Sequence, residues 1–196
     1  MKDFIKEYKV LDESTCDSII QWIETCDLEE GTTGDKYGEP EVNPEYKESW
    51  DMGLWFTEPT PFCNIIARGL LKAGLQYKKD HPELDRLSKW RVDYGYNIQK
   101  YLPGKGYYVT HCESASYSLC DRMLVWMIYL NTIEEGGGTD FPILKKSIKA
   151  EAGKCVIWPA GFTHMHNGIV APKDTKYIAT GWYVFEKEEG ETSKRN

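Results

Sequence analysis

From residue 89 onward the chain is written in short β segments. "WRVDYGYNIQKY", "GYYVTHCE", "RMLVWMIYLN", "GGTDFP", "KKSIKA", "GKCVIWPA", "MHNGIV" and "TKYIATGWYVF" are rich in aromatic and β-branched residues, and Gly, Pro and Asn break the chain between them. Such residues suit a pleated, half-buried surface. Several strands at roughly regular spacing point to an antiparallel sandwich or barrel rather than to a parallel α/β sheet. The aromatic share of 13%, with seven Trp and thirteen Tyr, leans the same way.

The N-terminal part reads differently. "DESTCDSIIQWIETC" sets Asp, Ser and Thr before Ile19, Ile20 and Ile23, a start signal for an amphipathic helix. Residues 27–48 are acidic and rich in Gly and Pro, and predict a long loop that could act as a mobile lid. "PFCNIIARGLLKAGLQYKKDHP" predicts a second helix, with Pro61 in its first turn and Pro82 just past its end. His81 follows that helix and is expected in solvent. The expected architecture is mostly β with N-terminal helices: one domain over 1–196, with 1–88 as helical support and loop and 89–187 as a jelly-roll core.

Bulk properties exclude some functions. A net charge of −7 argues against a nucleic-acid or anionic-membrane surface. There is no apolar run of about 18 residues, so no transmembrane helix is expected. "MKDFIKEYKVLDES" lacks the apolar centre of a signal peptide, so a cytoplasmic protein is expected. The six cysteines, at 16, 26, 63, 112, 120 and 155, form no Cys-x-x-Cys pair and read as free thiols, not a disulfide framework or structural zinc module.

The chemistry-bearing pattern is His111-x-Glu113 with His164 and His166 much later in the chain. Residues i and i+2 of a strand share a face, so His111 and Glu113 can point inward together. A third ligand from a later strand would complete a two-His, one-carboxylate face, a donor set that suits non-haem Fe(II) oxygenases because it leaves coordination positions open. His-x-Glu alone is a weak signal, and either later histidine satisfies the pattern.

With its surroundings the pattern becomes specific. "YLPGKGYYVTHCE", "DRMLVWMIYLN", "GGGTDFP", "GKCVIWPAGFTHMH" and "TKYIATGWYVF" occur in an order that resembles the Fe(II)- and 2-oxoglutarate-dependent dioxygenases, on the branch similar to prolyl 4-hydroxylases. The resemblance runs from about Tyr94 to Phe185. It implies a double-stranded β-helix flanked by helices, with His111 and Glu113 as the first two iron ligands. Glu stands where most of the family has Asp. The retained carboxylate argues against the related halogenases, which lack it.

The resemblance offers two rulers for the last ligand. Counting forward from Pro159 gives His164; counting back from Lys176 gives His166. Strand register is harder to alter than turn length, so His166 is taken as the ligand and His164 as a neighbour behind it. Lys176 matches the basic residue that pairs with the far carboxylate of 2-oxoglutarate, and Thr180, Tyr129 and Tyr101 match positions around the co-substrate. Arg122 and Trp182 match positions near the substrate mouth.

The implied cofactors are Fe(II), 2-oxoglutarate and O2, with ascorbate as an admitted reductant. The implied reaction decarboxylates 2-oxoglutarate to succinate while hydroxylating a prolyl residue of a peptide or protein, or a related amino acid. Substrate choice is expected in residues 27–60 and in "SASYSLCD" after Glu113. The competing reading is a non-catalytic, cupin-like metal-binding barrel.

Overall fold

The computed structural model describes residues 2–34 and 39–187; residues 35–38 of the expected lid lie outside the described residues. In chain order the elements are β1 (Lys6–Lys9), α1 (Glu13–Ile23), β2 (Glu29–Glu30), β3 (Thr33–Gly34), β4 (Pro40–Glu41), β5 (Trp50–Trp55) and α2 (Cys63–Asp80). They continue with β6 (Trp90–Tyr101), β7 (Arg122–Tyr129), β8 (Thr139–Phe141), β9 (Lys146–Ile148), β10 (Lys154–Pro159), β11 (Asn167–Gly168) and β12 (Lys176–Phe185).

Among the described residues the strands form a seven-stranded antiparallel sheet ordered β1-β10-β7-β12-β6-β5-β2 and a three-stranded sheet ordered β11-β8-β9. β3 and β4 pair with each other as a small hairpin. This is the mostly β, double-stranded β-helix architecture with flanking helices.

Alternation along the central strands divides the interior in two. Leu124, Trp126 and Ile128 of β7 face the helices and join Ile19 and Ile23 of α1 and Ile66, Leu70 and Tyr77 of α2 in one core. Val125, Met127 and Tyr129 of the same strand face the other way, into a second core with Phe141, Ile148 and Trp158. The helices therefore stiffen one face of the large sheet, and the opposite face is left to build a site.

Local sequence explains the helices. Asp12 caps α1 by accepting the Thr15 N–H at 2.7 Å. Cys16, Ile19 and Ile23 then recur on its buried face. α2 buries Ile66, Leu70, Ala73 and Tyr77, and its glycines let neighbours approach: a Cβ on Gly74 would sit 3.1 Å from the Tyr183 ring. The helix runs 63–80, inside the two prolines that bracket it in sequence.

Three expectations need correction. His81 is fully buried, not solvent-exposed, because Phe4 and Tyr77 pack on its ring at 5.1 and 4.5 Å. "GYYVTHCE" is not a sheet strand. It makes only isolated bridges, Lys47 with Tyr107 and His111 with His166, because Gly104 and Gly106 and the turns around them let the chain cross between sheets. The 27–60 stretch is not one loop. It contains β2 and β5, and β1 lies at the far edge of the same large sheet, so the N-terminal part supplies strands as well as helices. No helix is long and apolar enough to cross a membrane. All six cysteines are free, and Cys16, Cys63 and Cys155 are buried.

Candidate active site

The inner face of the large sheet opens into a cavity of about 420 Å³, lined by β5, β6, β7 and β12 and by the segments that carry His111, Glu113 and His166. One ligand-capable atom from each of these three residues lies within 4.8 Å of the others. His111 and His166 are brought together by paired backbone bonds, His111 N–H to the His166 carbonyl at 2.9 Å and the reverse at 2.8 Å. Glu113 is fixed two residues on, where its N–H and that of Ser114 both donate to the Ala160 carbonyl.

The imidazoles are oriented from behind. The Nδ1 of His111 lies 2.9 Å from the Val109 carbonyl, and the Nδ1 of His166 lies 3.0 Å from the His164 carbonyl. The two Nε2 atoms lie 3.3 and 3.7 Å from Glu113 Oε1: with a proton on each Nδ1 their lone pairs are free for a metal, and with a proton on Nε2 they pair with the carboxylate instead. Such carbonyl-held tautomers are how metal-binding histidines are usually set. Tyr107 stacks on the His111 ring at 3.8 Å, and Trp158 meets the His166 ring edge-on at 4.9 Å. Two neutral imidazoles and one carboxylate converging in this way fit Fe(II).

Burial alone would raise the Glu113 carboxyl, but hydrogen bonds and charge from His111 and His166 outweigh it and hold the group well below the usual carboxylate range. Burial lowers His166, only partly offset by Glu113. The second carboxylate oxygen is held as well. Trp182 donates its indole N–H to Glu113 Oε2 at 3.1 Å, and Arg122 reaches the same oxygen at 3.4 Å while stacking over the Trp182 ring at 3.5 Å. Arg122 and Trp182 thus stand against the carboxylate, closer to the cluster than the expected substrate mouth.

Lys176 sits at the other end of the cavity. Its side chain is buried, with the Gly138 carbonyl at 3.4 Å and the rings of Tyr101 and Tyr129 at 5.4 and 5.6 Å as its partners. Among the described residues no carboxylate reaches it. Burial pushes its ammonium down to about 8. A buried cation without an anion is costly, so this end of the cavity fits a ligand carboxylate. The hydroxyl of Tyr101 donates to Gln99 at 2.7 Å, that of Tyr129 is paired with Thr139 at 2.7 Å, and that of Thr180 donates to the Trp126 carbonyl at 3.1 Å.

His164 is buried beside the cluster without joining it. One ring nitrogen meets the Asp3 carbonyl at 2.8 Å and the other the Thr163 hydroxyl at 2.9 Å. Sequence reasoning had not singled out the polar floor formed by Asp51, Asn97 and Gln99, nor Lys47, which is paired with Asp51 and lies under the cavity. The signal was present: Asn97, Gln99 and Tyr101 alternate along one face of β6.

Residues 96–184 match the 2OG-Fe(II) oxygenase superfamily. No curated protein sequence matches the chain. In fold it is similar to the viral collagen prolyl hydroxylase of Paramecium Bursaria Chlorella virus-1 in complex with 2-oxoglutarate (TM-score 0.68, 20% identity, 93% of this chain and 97% of that one). It is also similar to a Pseudomonas putida prolyl-4-hydroxylase (TM-score 0.69, 14% identity, 95% of each chain). A third likeness is the Trichoplax adhaerens prolyl hydroxylase in complex with a hypoxia inducible factor oxygen degradation domain peptide fragment (TM-score 0.68, 16% identity, 98% of this chain and 88% of that one).

The span that matches the superfamily contains the His–Glu–His cluster, the buried lysine and the strands between them. Through that span the chain resembles the 2OG-Fe(II) oxygenases, enzymes that use Fe(II), 2-oxoglutarate and O2. In fold it is like the prolyl hydroxylases among them.

Proposed function

We propose that this protein is a 2OG-Fe(II) oxygenase that hydroxylates a prolyl residue of a peptide or protein, or a closely related amino-acid substrate, within a single domain spanning the chain. The observation that carries the reading is one cavity with a His–Glu–His cluster and an anion-seeking buried lysine at separate positions in it. A cupin-like metal barrel has no use for the lysine. The prolyl assignment draws support from the three solved prolyl hydroxylases of like fold, one of them holding a peptide.

In this reading His111, Glu113 and His166 hold Fe(II). Lys176 pairs with the far carboxylate of 2-oxoglutarate, Thr180 turns its hydroxyl from the Trp126 carbonyl to donate to it, and Tyr101 and Tyr129 wall that end. Fe(II) with bound co-substrate and O2 supplies the oxidising power that inserts a hydroxyl group as 2-oxoglutarate becomes succinate and carbon dioxide. The protein orients, excludes water and selects. Arg122 and Trp182 hold the Glu113 carboxylate in position, and His164 supports His166 through its backbone carbonyl while its ring is tied to Asp3.

The test is anaerobic titration of Fe(II) and 2-oxoglutarate into the metal-free protein, followed by visible absorption, with wild type beside His166→Ala and His164→Ala. The visible band is expected in wild type and His164→Ala and absent in His166→Ala. Succinate release stimulated by prolyl peptides then tests the substrate. Bound metal without any band would favour the non-catalytic barrel.

A further inference from the structure

Among the described residues, one polar side chain of the cavity floor, Asn97, has nothing to hold. Asn97 lies on β6 facing the cavity, between Gly53 of β5 on one side and Thr180 of β12 on the other. Its floor neighbours are all engaged. Gln99 is bonded to Tyr101 and Asp51, Asp51 to Lys47 and Ser49, and the Thr180 hydroxyl to the Trp126 carbonyl. Among the described residues no side-chain hydrogen bond reaches the Asn97 carboxamide. It lies between the co-substrate end, at Lys176, and the Trp182–Arg122 wall.

The glycine beside it is a second, independent observation. Glycine within a strand weakens it, and its presence often marks the close approach of a ligand or another backbone. Gly181 is required by packing, since a Cβ there would come within 2.7 Å of the Trp126 ring. Gly53 is not. Its φ is not positive, and a Cβ would meet only the Asn97 Oδ1, at an ordinary 3.6 Å. The fold would accept a side chain at position 53. What its absence does is leave the Asn97 amide uncovered.

We infer that Asn97, exposed by Gly53, is a specificity-determining residue that holds a backbone amide of the substrate against the cavity floor. A carboxamide offers a donor and an acceptor, the complement of a peptide group, and carries no charge to attract the termini of a free amino acid. The amide nitrogen of a prolyl residue has no N–H, so the Asn97 NH2 donating to a substrate carbonyl is the essential half of the pair. A site built to hydrogen-bond its substrate discriminates against one that lacks the group. The inference rests on the oxygenase reading above and narrows its substrate to chains with a capped amide.

The test compares wild type with Asn97→Leu, Asn97→Asp and Gly53→Val. Each is loaded with Fe(II) and 2-oxoglutarate and offered N-acetylated, C-amidated prolyl peptides, matched proline-free peptides, and free L-proline. Asn97→Leu keeps the shape and Asn97→Asp keeps the acceptors, so both remove the donor. Gly53→Val covers the amide with a residue suited to a strand. Retained 2-oxoglutarate affinity reports an intact site.

The expected result is a KM for capped peptide raised about three- to tenfold in all three variants, the worth of one hydrogen bond, with a smaller change in kcat. An unchanged KM in the Asn97 variants overturns the inference. So does turnover of free proline in preference to capped peptide by wild type. Stimulation by capped peptides irrespective of proline, lost in the variants, would sustain the role of Asn97 and refute the prolyl assignment. A wild type that makes no succinate under any condition overturns both.

Discussion

At the scale of single residues, the buried Lys176 ammonium makes co-substrate binding depend on pH. Its folded value of about 8 lies below the ordinary 10.5, because burial disfavours the charge. Between these values the unfolded chain holds the proton more firmly, so the ligand-free protein gains stability as pH rises through that window. A bound carboxylate reverses the preference. The affinity for 2-oxoglutarate should therefore be highest below about pH 8 and fall above it, as calorimetric titration across pH would read. Lys176→Met should cost on the order of 2–5 kcal/mol of that affinity. It should also abolish the gain in stability. His164→Ala keeps the backbone carbonyl behind His166 and cuts only the ring's tie to Asp3, so it should weaken Co(II) binding by less than the roughly tenfold loss that follows removal of a direct partner. His164→Gln, which keeps a polar tie to the Asp3 carbonyl, should recover part of it. Co(II) absorption titrations separate these outcomes.

At the scale of elements, α2 carries its own titration. His81 ends that helix between Phe4 and Tyr77, its side chain fully enclosed and its nitrogens without a well-formed hydrogen bond, the nearest charge being Glu83 at 3.5 Å. Burial, the largest cause, lowers it below the ordinary 6.5. The unfolded state binds the proton more readily, so stability should fall as pH drops through about 6.5 towards the folded value. Urea midpoints measured from neutral to mildly acidic pH should slope downward in wild type and less steeply in His81→Leu, the remaining slope belonging to His166. Packing of β12 on β7 gives a contrasting case. Gly181→Ala would force a Cβ to within 2.7 Å of the buried Trp126 ring. It should cost about 1–3 kcal/mol by overpacking, visible as a lowered melting temperature, whereas Gly53→Ala should leave stability nearly unchanged.

At the scale of the whole molecule, the helices and the site occupy opposite faces of one large sheet. The helical core can therefore hold the strands in register while the other face carries a group that opposes folding, the buried Lys176 cation without a counter-charge. Binding should repay that cost. Metal and 2-oxoglutarate together at 100 times their dissociation constants should stabilise the folded state by at least about 2.7 kcal/mol. A thermal melt with and without chelator would show it. A melting temperature insensitive to both would mean that the cavity does not bind them.

Much of this was legible in the chain. The strand grammar after residue 89, the Asp12 cap and the proline-bracketed α2 are local signals, because backbone preference and period act over a few residues. The ordered motifs around His111, Glu113 and Lys176 likewise survive in sequence, because each is written over a few consecutive residues. Other features depended on residues that meet only in space. The sequence left two histidines as candidates; the tertiary structure brings His166 to the cluster, through its backbone pairing with His111, and turns His164 to the Asp3 carbonyl. The same pairing across sheets replaces the expected strand at 106–113. His81 looks exposed in a polar stretch, and it is buried by Phe4, far away in sequence. β1 and β5 lacked a clear strand signal, because each takes its hydrogen bonds from strands distant in sequence. Asn97 carried no motif at all: its open face exists only where β5, β6 and β12 lie side by side. Local chemistry determined which elements could form and which groups could react, while long-range pairing decided which of those groups share one cavity.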